Sequence, residues 1–494
     1  MSKAELEREN KVLHTENVLL KEELSQLRKL IFSSKRERYK PVNDPGQTIL
    51  FDGEEPAVTE EQTVEDVVVR KGKKKSNKKA GKRNSFPAAL RREETIIWPA
   101  GEMEGLIQIG QDITELLAYV PASLCVKRIV RPRMANRTAE DAGIFQAPIP
   151  PRIVPKGMVD ESLIAQIIVE KIQFHTPIYR FAKKLKQAGV DFIKENNLHN
   201  WFHAGAESLK PLYHLLVEDI LSQGYLQSDE TRIPVLAKNK IGAAHRGQMW
   251  AFFAPTIKAA AFNYESTRST QSAKVVLDQF KGTLQTDGYV AYEKIGERKD
   301  IQLIYCMAHA RRKFFDAKDS APDLANYFLE KLQGLYELER QARAENLSHH
   351  QGLQLRQQKA IPILKELESW LTTQYADRTL VPKSLIRKAI NYTFKRWKGL
   401  CAYAHDGKLE IDNNLVENTI RPIALGRKNY MFAGSHDAAQ NLAVLYSLIG
   451  TCEKNGINAF NYIHWALQKV AANKVTAEAV DWLPHRIDPE VLGE

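Results

Sequence analysis

The hydrophobic period of this chain changes at Gly224, and that change limits the folds open to it. Upstream, residues 160–173, 177–188 and roughly 193–222 carry apolar residues at helical spacing. Downstream, YLQSDETRIPVLA (225–237), GQMWAFFAP (247–255) and KAAAFNYE (258–265) alternate or run apolar, with many aromatic and β-branched residues. Their short connections predict an antiparallel meander. A helix is expected over SAKVVLDQFKG (272–282), followed by a short strand ending in LQTDGY and a helical piece. A further apolar strand is expected over IQLIYCMAH (301–309).

Three antiparallel strands followed by alternating helices and strands match the element order of a ribonuclease H-like α/β core. In that order Asp229 lies within the first strand and Asp287 ends the fourth, 58 residues later, on what would be neighbouring strands. Side chains alternate across a strand, so Asp229 and Glu230 cannot both face one site, and spacing alone does not choose between them. Asp287 precedes Gly288 at a strand-to-helix turn, where a carboxylate is readily presented. Paired acids suit phosphodiester chemistry, because two divalent ions can stabilise both oxygens of an in-line displacement. Mg²⁺ accepts a few carboxylates together with water and substrate phosphate.

A third acid is suggested by KLEIDNNLVENTIRPIALGRKNYMFAGS (408–435). Asp412 or Asn413 can cap a helix there, on which Asn414, Glu417 and Arg421 share a face. Pro422 is expected to kink or end that helix near Arg421. Arg427 and Lys428 would then follow in a Gly-flanked loop suited to phosphate contacts. On the residues alone, an ordinary charged surface helix is the alternative.

The flanking regions divide by pattern. Residues 1–40 read as a leucine-zipper coiled coil, with Leu6, Leu13, Leu20 and Leu27 seven apart and Asn10 and Asn17 in the other seam position, which predicts a homodimer. Opposite charge blocks without apolar spacing make 41–94 a disordered linker, including the basic run RKGKKKSNKKAGKR. Residues 95–136 form a small β-rich module, 137–159 a Pro-rich linker, and 160–222 a helix-turn-helix-like region with basic Lys183 and Lys184. The strand-rich domain covers 223–446, with a helical insertion over about 311–405, and 447–494 is a helical tail. The net charge of +11 suits a polyanionic partner. No apolar run is long enough to span a membrane and the start lacks a secretory signal, so a cytoplasmic location is expected. Four scattered cysteines without a C-x-x-C pair argue against zinc or disulfides.

The segments SDETRIPV, LQTDGYVAY, YCMAHARRKFFD and the 408–435 motif together resemble the transposase of the insertion sequence 66 family. The resemblance covers roughly 160–470, and both ends of the chain are similar to the ends of the same family. It implies a DDE transposase with a ribonuclease H-like core and a helical insertion before the last acid. Asp229, Asp287 and Glu417 would be the catalytic acids and hold two Mg²⁺ ions, with Mn²⁺ able to substitute. His309 of the C-x-x-H pair, Arg312 and Asn414 would assist. Lys183, Lys184, Arg421, Arg427 and Lys428 would contact DNA. The implied partners are terminal inverted repeats, target DNA and accessory proteins of the same element, in a bacterial cytoplasm and at the nucleoid when bound. The family's cysteine-rich module retains only Cys125 here, so no zinc is expected. Cys306 is expected to be a small buried residue at a strand end. Two other functions stay open: a non-catalytic DNA-binding regulator, and a related nuclease without strand transfer.

Overall fold

The computed structural model describes residues 3–32, 124–131, 133–135, 144–146, 148–236, 244–472 and 475–493. The expected charged linker and most of the expected β-rich module fall outside them. Helix α1 (Lys3–Phe32) is followed by a two-stranded antiparallel pair, β1 (Arg133–Ala135) and β2 (Ile144–Gln146). Three helices come next: α2 (Glu161–Ile172), α3 (Ile178–Gln187) and α4 (Glu195–Leu221). Asp160 caps α2 by accepting from Ser162 N. Gly189, at φ +85°, reverses the chain after α3, so that Val190 N returns to Leu185 O at 2.9 Å.

The mixed sheet contains β3 (Tyr225–Leu236), β4 (Ala244–Ala254), β5 (Ala259–Glu265), β6 (Gly282–Thr286) and β7 (Ile301–Tyr305). Its order is β5-β4-β3-β6-β7, with the first three antiparallel and β3, β6 and β7 mutually parallel. Helices α5 (Thr270–Leu277) and α6 (Val290–Ile295) connect β5 to β6 and β6 to β7. The alternation that predicted β3–β5 reflects a sheet buried by helices, with Trp250, Phe252 and Phe262 nearly inaccessible. Each such side chain contributes roughly 1.5–3 kcal/mol by leaving water.

The last predicted strand is shorter than expected. It ends at Tyr305; Cys306 caps α7 (Met307–Asp316), and Met307 N donates to Ile411 O at 3.1 Å. The chain therefore leaves the sheet before His309 and places it on a helix. Helices α8 (Pro322–Ala344), α9 (His349–Leu355), α10 (Ile361–Ala376) and α11 (Leu385–Cys401) follow. With α7 they enclose their own apolar core, including Phe314, Phe328, Leu332, Leu367, Ile390 and Trp397, which Tyr225 and Ile304 of the sheet join.

Helix α12 (Asn414–Tyr430) corrects a second expectation. It runs unbroken through Pro422, so Arg427 and Lys428 occupy its last turn and not a loop. The proline removes one backbone donor, but burial of Val416, Ile420, Ile423 and Tyr430 along one face holds the helix together. Helix α13 (His436–Lys454) is buried without a break from Asn441 to Ile449 and packs on β5. There Ser447 Oγ accepts from Phe262 N at 2.8 Å and Thr451 Oγ1 from Ala260 N at 3.0 Å. These hydroxyls satisfy the outward donors of an edge strand. Helix α14 (Ala459–Ala472) completes the α2–α4 side. No helix of the described residues is long and apolar enough to cross a membrane.

Candidate active site

Strands β3 and β6 carry the same short pattern, Gln-x-Asp, in Gln227–Asp229 and Gln285–Asp287. Their parallel register sets Gln227 opposite Gln285, and each acid follows its glutamine by two residues. Alternation then directs each acid to its glutamine's side of the sheet. Asp287 lies just past the end of β6, where its Oδ1 accepts from Tyr289 N at 2.8 Å and its carbonyl accepts from Tyr392 OH at 2.6 Å. Gly288 between them has φ +86°, a conformation that favours glycine, and a Cβ there would press on the Arg396 side chain, 2.8 Å from its Nε.

Glu417 is 130 residues further along, in the first turn of α12. A buried amide bridge seats this helix beside the two aspartates. Gln227 Nε2 donates to Asp412 O at 2.9 Å, and Gln227 Oε1 accepts from Val416 N at 3.2 Å. Gln285 Nε2 donates to Glu410 O at 2.8 Å, and Glu410 N donates to Tyr225 OH at 3.2 Å. The helix start is capped by Asp412, whose Oδ1 accepts from Asn414 N at 3.1 Å, while Asn413 makes no side-chain cap. Tyr336 OH and Asn414 Nδ2 hold the other Asp412 oxygen at 3.0 and 2.8 Å.

The three carboxyls affect one another. Burial, with the negative charges of Glu230, Asp287 and Glu417, pushes Asp229 up to about 8. Burial raises Glu417 as well, opposed by the positive charge of Arg312. His309 lies beside them, its Nδ1 3.8 Å from Glu417 Oε1. Burial lowers its pKa, against the pull of Asp287, and that nitrogen is buried without a hydrogen-bond partner. Carboxylates are hard-oxygen donors of the kind Mg²⁺ or Mn²⁺ takes, and the charge of Asp287 reaches both Asp229 and Glu417. Cys306, His309 and Glu417 also offer one ligand atom each within 4.8 Å of one another. Cys306 is fully buried, burial pushes its thiol well up, and its Sγ already accepts from Asn413 N at 3.4 Å. Cys306 is therefore a poor ligand, and His309 and Glu417 are the accessible members of that group.

The remaining expected residues are distributed differently. Asn414 supports the Asp412 cap, and Arg312 is exposed on α7. Arg427 donates to Thr231 Oγ1 at 3.0 Å and to Arg232 O, tying α12 to β3. Arg421 and Lys428 are exposed. On α3, Lys183 sits over the Tyr179 ring and Lys184 pairs with Glu170 at 2.8 Å. Sequence reasoning missed Gln227, Gln285, Tyr392 and Arg268, although the repeated Gln-x-Asp pattern could have flagged the glutamines. The two candidates on β3, Asp229 and Glu230, both carry the charge of Asp287 but differ in their partners. Glu230 shares Tyr292 OH with Ser228, at 3.3 and 2.9 Å, and pairs with Arg268, whereas Asp229 Oδ1 accepts from Glu230 N at 2.7 Å and Asp229 also carries the charge of Glu417.

Residues 156–441 match the model of a family described as Transposase IS66 family. Residues 19–95 match one described as Transposase C of IS166 homeodomain. The chain is 32% identical over 484 residues to the uncharacterized protein y4jD of Sinorhizobium fredii, covering 94% of this chain and 93% of that protein. It is 30% identical over 431 residues to y4hP of the same organism, covering 81% and 76%.

Proposed function

Because the chain belongs to the IS66 transposase family, we propose that it is a DDE transposase in which Asp229, Asp287 and Glu417 are the catalytic acids. The observation that carries this reading is the Gln227–Gln285 bridge, which ties the start of the Glu417 helix to the two neighbouring strands that present Asp229 and Asp287. The sheet order β5-β4-β3-β6-β7 supports a ribonuclease H-like core, with the helices between 307 and 405 as the insertion before the third acid. Asp229, Asp287 and Glu417 would hold two Mg²⁺ ions, or Mn²⁺ in their place. Bound there, the ions would stabilise charge on the attacking and leaving oxygens.

Water attacks phosphorus at the element's end, the bond from phosphorus to the 3′ oxygen breaks, and a free 3′ hydroxyl remains. That hydroxyl then attacks a phosphodiester of target DNA in the same site and displaces the target's own 3′ oxygen. No covalent link to the protein is required. His309 faces the reacting phosphate from beside Glu417, and Arg312 adds positive charge at the rim. Lys183, Arg421 and Lys428, all exposed, serve the surrounding DNA. The leucine seam of α1 joins two copies.

The test uses a duplex carrying the terminal repeat that flanks the gene. Wild-type protein with Mg²⁺ should nick it and join a pre-cut 3′ end to target DNA, and D287N should bind but do neither. Retained cleavage by D287N refutes the assignment, and nicking without joining favours a nuclease.

A further inference from the structure

Glu230 neighbours the three acids, but its own oxygens go to Arg268 and Tyr292, and its side chain is only 3% exposed. A carboxylate in that position needs a cation. Arg268 supplies it: Nε donates to Glu230 Oε1 at 2.9 Å and Nη2 donates to the same oxygen, which leaves Nη1 outside the pair. The guanidinium carbon also lies 4.0 Å from the centroid of the Tyr289 ring. Tyr289 is tied at both ends, its N–H donating to Asp287 Oδ1 at 2.8 Å and its hydroxyl to Arg268 O at 3.1 Å. The arginine is therefore immobilised on three sides, one contact away from the second acid. Its side chain nonetheless remains 39% exposed.

We propose that Arg268, held by Glu230 and Tyr289, binds one backbone phosphate of the DNA strand entering the acid cluster. This rests on the transposase reading above and adds a substrate contact that the acids do not provide. The chemistry is that of a planar fork with one edge occupied and the other turned to solvent, a geometry that matches phosphate oxygens. Rotamer freedom is already lost before DNA arrives, so binding costs less than at a mobile surface lysine. The pair carries no net charge, so it attracts by directed N–H donors at short range and not by a long-range field. Tyr289 supplies the stacking surface that keeps the guanidinium plane fixed.

The test exploits that neutrality. R268A/E230Q keeps the net charge of the pair while removing the donors, and R268K keeps a cation opposite Glu230 but loses the fork. Binding of a labelled duplex carrying the element's end is measured across salt concentrations, together with Mg²⁺-dependent cleavage and thermal melting. The double variant should bind about tenfold or more weaker at every salt concentration, with a nearly unchanged salt slope because the pair is neutral, and unchanged melting. R268K should also bind more weakly, which keeps the test decisive if the double variant misfolds. Wild-type affinity in the folded variants would reduce Arg268 to a counter-ion of Glu230 and overturn the proposal. A wild-type protein that neither binds nor cleaves the duplex would instead sink the transposase reading, and this inference with it.

Discussion

Gln227 and Gln285 stand opposite one another in the parallel ladder of β3 and β6, and Gln227 Nε2 donates to Gln285 Oε1 at 2.9 Å. Gln227 reaches Asp412 O and Val416 N, and Gln285 reaches Glu410 O, so two strand residues position the start of a helix 189 residues after the first of them.

Replacing Gln227 with Leu leaves Asp412 O and Val416 N unpaired in a buried setting, at a cost of about 1–3 kcal/mol. The larger effect should be on geometry, since a shift of about 1 Å in a catalytic group can cost a hundredfold in rate. Q227L should therefore cleave about a hundredfold more slowly while binding the duplex like wild type. Wild-type cleavage would remove the glutamine bridge from the account.

Asp229 makes the metal-free protein sensitive to pH. Its carboxyl titrates near 8 when folded, against about 3.9 in an unfolded chain. The folded state thus keeps a proton that the unfolded state has released. The stability this gives is full below about pH 4 and is lost as pH rises through about 8. Without metal, D229N should melt above wild type at pH 8.5, with the gap narrowing toward pH 5. Mg²⁺ should raise the melting temperature of wild type at pH 8 and leave that of D229N nearly unchanged. A pH-independent gap would contradict the assignment.

The helical insertion depends on a buried ion pair. Arg356 binds both carboxylate oxygens of Glu339, at 2.8 and 2.7 Å, and donates to the carbonyls of Tyr403, Asp406 and Leu409. E339A strands the guanidinium and should cost about 3–5 kcal/mol, read from a denaturant melt. A loss under about 1 kcal/mol, the usual worth of an exposed pair, would show that water reaches the site.

The seam of α1 is available for a partner. Leu13 and Leu20 are 55% and 58% exposed, while Glu22 on the same helix is buried and accepts from Leu385 N at 3.0 Å. L13E/L20E should halve the mass seen by light scattering without lowering the melting temperature. An unchanged mass would place dimerisation elsewhere.

Strands and helices were readable where one face is buried, because alternation and helical spacing record burial directly. On β3, buried Ile233 and Val235 against the more exposed Arg232, Pro234 and Leu236 show this alternation. Local patterns misled where tertiary contacts overrode them. Pro422 looks like a helix end but lies within a helix held by its buried face, and Cys306 to His309 reads as strand until Met307 bonds to Ile411. The site itself was legible only as candidate acids. Its assembly depends on bonds such as that between Gln227 and Val416, 189 residues apart, which no local pattern encodes. The pairing of Glu230 with Arg268 was hidden for the same reason.

The central claim is that three acids from distant segments share one metal centre. Anomalous diffraction from crystals soaked in Mn²⁺ tests it most directly. The account predicts manganese peaks ligated by Asp229, Asp287 and Glu417 together, and their loss in D287N crystals. Manganese bound elsewhere, with Glu417 turned away from the two aspartates, would contradict it.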